Sequence, residues 1–316
     1  MFSILLYDTD DFFSKSEVSI ITKAGYTVRH VRSDFEALDI LKKYPIDLCI
    51  IDTDIHKIPG NGFLFLKQLR NNFSSLPVIF TTEGNIDNYI GYMLRYDIGN
   101  VLLKPVTSDS LITIIRKVIT GNNIFGLQNC IKELKDIRKI KIVDSNQIKP
   151  AIDKILNDAT SWNFTSIDHD TIRILLQEMM INALYHSYGK TKEKLERKRI
   201  ILSGGDFIET VYGHNDEKFG AAIIDYNGSL TRQTILKTLF DVVEQEKMMQ
   251  SAIESSGHIE NINLSESGRG IDLLRKLSGE YYFNIRRKYM TEIIFIFDIN
   301  FHKDDTRSSL NIFEVD

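Results

Sequence analysis

Acidic and cationic side chains at the ends of short apolar runs supply the first chemistry in this chain. Asp8, Asp10 and Asp11 follow Ile4–Tyr7, Asp52 follows Leu48–Ile51, Thr81 and Thr82 follow Val78–Phe80, and Lys104 follows Val101–Leu103. Clustered carboxylates bind a hard cation such as Mg²⁺, which shields an attacking aspartate from an incoming phosphoryl group. The candidate metal ligands are Asp8, Asp10, Asp52 and Asp54, with Asp52 as the nucleophile. A hydroxyl from Thr82 and the ammonium of Lys104 would hold the transferred oxygens. Any one of these residues alone reads as a solvated loop position; five in register do not.

The elements that must position them alternate. Ile4–Tyr7, Tyr26–Val28, Leu48–Ile51, Val78–Phe80 and Val101–Leu103 have strand composition. Between them run helical stripes such as Phe63, Leu66, Leu69 and Leu111, Ile114, Ile115, Val118. Five buried-type strands alternating with helices predict a doubly wound parallel sheet covered on both faces. The ligand site of such a sheet lies at the carboxyl ends of its strands, where these residues fall.

Residues 1–120 resemble the flavodoxin-like receiver domain of two-component response regulators. Asp52 stands at the phosphoacceptor position, Thr82 at the switch hydroxyl, Lys104-Pro105 at the lysine and proline, and Ile58–Gly62 in the loop after the acceptor strand. Two departures stand out. Receivers usually carry two adjacent acids after the first strand, and here the pair is Asp8-Thr9, so Asp10 must move in if a second acid is to bind metal. Val101 occupies the place of an aromatic switch residue, so the output surface changes by another route.

A second constellation lies downstream. Ile172, Leu175, Leu176, Met179, Met180, Ala183 and Leu184 make one buried stripe of a helix that Ser166–Asp170 can cap. Glu178 and Asn182 are four apart and share a side of it. The carboxylate can deprotonate a hydroxyl while the amide oxygen holds Mg²⁺ on a triphosphate; the bland reading is a wet helix face. Ala221–Ile224 is a strand ending in Asp225, which can accept the exocyclic amine of adenine, followed by the turn Tyr226–Ser229. Gly268-Arg269-Gly270 precedes an apolar-periodic helix, a ready anion site or a simple loop and cap. Tyr281–Arg286 and Thr291–Phe297 read as a closing pair of strands.

The order of Glu178–Ala183, Asp225–Gly228, Gly268–Gly270 and Thr291-Glu292-Ile293 resembles the GHKL (Bergerat-fold) ATPases, above all the anti-sigma-factor serine kinases of bacterial partner switching. The resemblance covers residues 145–300 and implies an α/β sandwich with ATP and Mg²⁺ as cofactors. It makes Glu178 the catalytic base, Asn182 the metal ligand and Asp225 the adenine contact. Gly228, Gly268, Arg269, Gly270 and Thr291 complete the nucleotide site. Family members carry Asp-x-Gly-x-Gly in the adenine turn, whereas Asn227 and Ser229 replace the glycines here, and Asn is the better able to adopt positive φ. Glu244–Glu266 forms a long polar lid insertion.

Between the halves, 121–144 reads as a connector, with Cys130–Ile142 as a helix or short link, and 301–316 reads as a tail whose Leu310, Ile312, Phe313 and Val315 could dock on a partner or a second copy. Lys190–Arg199 reads as a solvated basic loop leading to a strand at Ile200–Leu202, His186 as a helix cap and Trp162 as filler. No histidine lies between His56 and His169, which excludes an ordinary histidine kinase with its own phosphoacceptor helix.

With 316 residues, 43% of them hydrophobic and 26% charged, the chain can bury two cores. A net charge of −4 gives no global reason to bind nucleic acid, and no basic recognition helix follows residue 121. Two cysteines suit a reducing cytoplasm, and no apolar run reaches bilayer length. The sequence therefore predicts a cytoplasmic response regulator, phosphorylated on Asp52 by an upstream histidine kinase. Its output would be an ATP-dependent serine/threonine kinase acting on an anti-sigma antagonist. The alternative is a non-catalytic module that sequesters a sigma factor or antagonist. Both resembled families pair, which extends the expectation to a homodimer.

Overall fold

Aliphatic runs too short for helices alternate with capped amphipathic segments through the first third, and in the computed structural model these become strands and helices in strict succession. The structure describes residues 2–121, 124–164, 168–256, 268–298 and 309–315, apart from the side chains of 252, 254–256 and 269. The chain divides into two compact units, Met1–Ile124 with Ser309–Asn311, and Phe125–Ser308 with Ile312–Asp316.

The first unit contains β1 (Ser3–Tyr7), α1 (Asp11–Lys23), β2 (Thr27–Val31), α2 (Asp34–Lys43), β3 (Leu48–Asp52), α3 (Asn61–Asn72), β4 (Val78–Thr82), α4 (Ile90–Tyr96), β5 (Asn100–Leu103) and α5 (Ser108–Thr120). These five strands run parallel in the order β2-β1-β3-β4-β5. Leu310 and Asn311 add antiparallel to Val101 and Asn100 of β5. The central strands β3 and β4 are buried along their whole length, which is why they read as unbroken apolar runs rather than alternating ones. Side-chain caps from Asp10, Ser33 and Thr107 start α1, α2 and α5, and Gly121 in the left-handed region ends α5.

The second unit contains β6 (Lys135–Ile142), α6 (Ile148–Ser161), α7 (His169–Ile181), α8 (Thr191–Leu195), β7 (Ile208–His214), β8 (Lys218–Asp225), α9 (Arg232–Ser256), α10 (Arg269–Leu277), β9 (Glu280–Arg286), β10 (Met290–Asp298) and, from Ile312 onward, the rest of β11 (Leu310–Val315). Its strands follow the order β6-β7-β8-β10-β9 with antiparallel pairing throughout, and Ile312–Val315 run parallel to β9. Helix α6 packs on α7, and α10 packs on α7 and α9. Ile155, Leu175, Leu176 and Met179 from the helices, with Tyr212, Ala222 and Phe295 from the strands, are among its fully buried side chains. This is a mixed α/β unit.

Three local expectations change. The segment Cys130–Ile142, read as a helix or link, contains strand β6, which ends the row of strands in this unit. An edge strand keeps one side in water, so Lys135, Lys139 and Lys141 sit among its isoleucines, a mixture that also suits a helix face. The tail pairs with the chain's own β9 from Ile312 onward instead of waiting for another molecule. Ile200–Leu202 forms only a single bridge, Asp144 to Ile201. The lid insertion continues α9 as far as Ser256, and 257–267 lie outside the described residues.

Candidate functional sites

In the first unit, four strand ends bring Asp8, Asp52, Thr82 and Lys104 together, all at most 9% exposed. Lys104 Nζ donates to Asp8 Oδ2 at 2.6 Å and to Asp52 Oδ2 in a still closer contact. The other oxygens accept backbone N–H groups, Asp8 Oδ1 from Asp10 at 2.7 Å and Asp52 Oδ1 from Asp54 at 2.5 Å. Burial pushes Asp52 above the usual carboxylate range, and the charge of Lys104 offsets this only in part. Burial also works against the charge on Lys104, but Asp52 and Asp8 outweigh it and raise the ammonium's pKa, so it stays protonated. Thr82 Oγ1 accepts Gly84 N–H at 3.0 Å, which fixes the hydroxyl at the end of β4. The Lys104-Pro105 peptide is cis.

Two predicted metal ligands are employed elsewhere. Asp10 caps α1, accepting Phe12 N–H at 2.8 Å. Asp54 accepts Gly60 N–H at 3.0 Å and the hydroxyl of buried Tyr89 at 2.6–2.7 Å. Thr9, in place of the second acid, accepts His56 N–H at 2.9 Å and braces the loop after β3, where His56 and Lys57 both have positive φ. Of the four acids, Asp8 and Asp52 are the two that meet at Lys104. Val101, standing where receivers often carry an aromatic residue, is fully buried on β5.

Glu17 was not anticipated. It lies on α1, is 2% exposed, and neither carboxylate oxygen has a hydrogen-bond partner among the described residues. Burial pushes it up to about 8, with Lys104 pulling down and Asp8 and Asp52 pushing further up. Its signal in sequence was an acid at the middle of the stripe Ser14, Glu17, Ile21, the face that α1 buries.

In the second unit, Asp168 caps α7, and the helix runs through Glu178 into a π-helical turn, Asn182–His186. Such turns recur at functional sites. Gly270, at the start of α10, reaches this pair so closely that a Cβ there would lie 2.6 Å from Asn182 Nδ2 and 3.4 Å from Glu178 Oε2. Gly268 is the left-handed N-cap of α10, and the side chain of Arg269 lies outside the described residues.

Asp225 ends β8 directly opposite Thr291 of β10. It is buried and its Oδ1 accepts the N–H groups of Asn227 at 3.1 Å and Gly228 at 3.0 Å. Burial raises its pKa while these two amides pull it back. Asn227 Nδ2 donates to Ser187 O, tying the turn to the end of the helical segment. Positive φ falls on Gly228 and on neither Asn227 nor Ser229, so this turn needs its one glycine in the middle. A Cβ at Gly228 would lie 2.5 Å from Arg286 O and Tyr289 N.

Lys194, read as solvated, instead donates from Nζ to Asn182 Oδ1 at 2.9 Å and lies 3.0 Å from His186 Nε2. His186 Nδ1 is 3.2 Å from Thr191 Oγ1, so the ring joins α8 to the π-helical turn. Trp162 packs against His214 at 4.5 Å between ring centroids, with Arg138 over its face. No helix among the described residues is long and apolar enough to cross a membrane.

A buried lysine bridges two carboxylates at the carboxyl ends of a parallel doubly wound sheet, the edge where this class of fold places its ligand site. Residues 4–116 match the family described as the response regulator receiver domain. The chain is 34% identical over 154 residues to the probable transcriptional regulator ycf29 of Cyanophora paradoxa, covering 47% of this chain and 70% of that protein. It is 26% identical over 160 residues to the protein of the same name from Porphyra purpurea, covering 49% and 73%. Chemotaxis protein CheY4 of Vibrio cholerae is a similar solved structure, at 22% identity and TM-score 0.35, covering 37% of this chain and 98% of that one. The chain belongs to the response regulator family through its N-terminal receiver domain.

Proposed function

We propose that Asp52 accepts a phosphoryl group from the phosphohistidine of a separate kinase and that this modification controls the second unit. The observation that carries the proposal is Lys104, held between Asp8 and Asp52. The Asp52 carboxylate attacks phosphorus, the P–N bond breaks and the imidazole leaves, while Lys104 and Thr82 are placed to hold phosphoryl oxygens. Asp8 and Asp52 would hold Mg²⁺, which supplies charge shielding when bound. Incubation of the full chain with acetyl phosphate should add one phosphoryl group by intact mass, and none to Asp52→Asn. An unmodified wild-type chain under these conditions overturns the proposal.

For the second unit, the reading is a GHKL-type domain of the anti-sigma serine/threonine kinase kind, acting in the cytoplasm on an antagonist or sigma factor. Support comes from Gly270 packed on Glu178 and Asn182, and from Thr291 opposite Asp225. In this reading Glu178 is the base and Asp225 the adenine contact. The name borne by the relatives, probable transcriptional regulator, agrees with an output on transcription. A non-catalytic partner-binding module is the second reading, favoured by Lys194 on the oxygen of Asn182 and by the absence of glycine at 227 and 229. Calorimetric titration of the folded chain with ATP separates them: binding heat is expected of the kinase, and its absence removes it.

A further inference from the structure

The amide of Asn182 is held on both sides. Lys194 Nζ sits 2.9 Å from Oδ1, and Gly270 packs so closely on Nδ2 that a Cβ there would lie 2.6 Å away. An ammonium has three donors and no acceptor, so the atom facing Lys194 must be the amide oxygen. For the same reason His186 Nε2, 3.0 Å from that ammonium, must offer its lone pair, which makes the ring neutral with its proton on Nδ1 beside Thr191. Partial desolvation of the ring, with the charge of Lys194 behind it, lowers the pKa of His186 and favours that neutral form. Two neutral acceptors on one π-helical turn thus converge on a single cation.

Lys194 is also firmly carried. Lys190 N–H donates to Tyr185 O at 2.7 Å, and the Tyr185 hydroxyl donates to Lys198 O at 2.8 Å, so both flanks of α8 are tied to the turn that presents Asn182 and His186. On its other side the amide nitrogen of Asn182 faces Gly270 at the start of α10. The amide that the family resemblance gives to Mg²⁺ does not fit a metal here while Lys194 is seated, because the ion would share one oxygen with a positive charge at contact distance.

We infer that Lys194 is a tethered cation standing in for a divalent metal at Asn182, so that this unit meets a phosphate-bearing ligand with a protein ammonium. The inference rests on reading Glu178 and Asn182 as part of a nucleotide site. The test uses the full chain, with Mn²⁺ binding followed by water-proton relaxation in wild type, Lys194→Met, and Lys194→Met combined with Asn182→Ala; any Mn²⁺ held by the receiver is common to all three. Lys194→Met should gain one site at least about tenfold tighter than anything new in wild type, roughly 1.4 kcal/mol, and the double variant should lose it. Lys194→Gln serves as a second variant, with folding checked by circular dichroism. No gained site in either folded variant overturns the inference. A parallel ATP titration should give equal affinity in Mg²⁺ and in EDTA for wild type, with Mg²⁺ dependence appearing in Lys194→Met. Wild-type binding that requires Mg²⁺ overturns the inference and leaves the nucleotide reading intact. A gained Mn²⁺ site with no ATP binding in any chain supports the tethered cation and removes the nucleotide reading.

Discussion

Lys104 and Lys194 each hold two groups together, in different surroundings. Lys104 is buried between the carboxylates Asp8 and Asp52, so its charge is demanded by its neighbours. Lys194 is half-buried and joins an amide oxygen to a neutral imidazole, so its charge is merely accommodated. The receiver pocket has a charge balance that removing one member upsets. The second site stays electrically tolerant and is defined by close approach, with Gly270 against Asn182 and Gly228 against the β9–β10 turn. One site is built by charge and the other by fit.

Replacing the two lysines in turn tests this difference most strongly. Lys104→Met leaves two buried carboxylates facing each other without a cation, and breaking a buried pair in this way costs about 3–5 kcal/mol. Lys194→Met removes charge-assisted hydrogen bonds from a half-buried site, for which a smaller loss of about 1.5–3 kcal/mol is expected. Urea unfolding of both variants measures the gap. Equal losses would mean that the charge distinction is wrong. Adding Asp8→Asn to Lys104→Met should return part of the loss, since it removes one of the stranded charges.

Fit is broken at a smaller scale by glycine substitutions. Gly228→Ala meets two penalties, a φ of +58° and a Cβ 2.5 Å from backbone atoms of Arg286 and Tyr289. Together these should cost about 2–4 kcal/mol. Gly121 has nearly the same φ, +60°, with open space around it, so Gly121→Ala isolates the conformational part at about 1–2 kcal/mol. Thermal or urea unfolding that failed to separate the two would show that the turn after Asp225 gives way easily, weakening its role in shaping a ligand site.

The same contrast explains how far the sequence could be read. A parallel doubly wound sheet puts every strand's carboxyl end at one edge, so finding Asp8, Asp52, Thr82 and Lys104 at the ends of apolar runs already located the receiver pocket. The second site draws on a helix face, a π-helical turn and an antiparallel ladder. The pairing of Thr291 with Asp225 is a matter of register that spacing alone does not reveal. Lys194 was hidden in a basic run because nothing in its local sequence says which lysine folds back. Strand β6 was hidden because an exposed edge tolerates the Lys and Ile mixture of a helix. Asp10 and Asp54 had the right chemistry, but a helix N-terminus and Tyr89 claimed them, and both partners are set by tertiary structure.

Glu17 shows that charge rules the receiver even away from the bridged trio, and its effect builds up gradually with pH. Its folded pKa is raised from the ordinary 4.5 to about 8, so between those values the folded protein retains a proton that the unfolded chain has released. Stability must therefore fall as pH rises through that window, by at most about 1.4 kcal/mol per pH unit from this group. Below the window both states are protonated, above it both are ionised, and the dependence on pH flattens. Glu17→Gln keeps the shape and removes the titration, so the stability difference between variant and wild type should widen in favour of the variant from about pH 5.5 to about pH 7.5. Lys104, Asp8 and Asp52 are common to both chains and cancel in the difference unless their own titration depends on Glu17. A difference that stays flat across the range would mean that Glu17 is ionised in the folded state, with Lys104 shared among three acids, and the receiver pocket would then carry one more negative charge than its bridged trio accounts for.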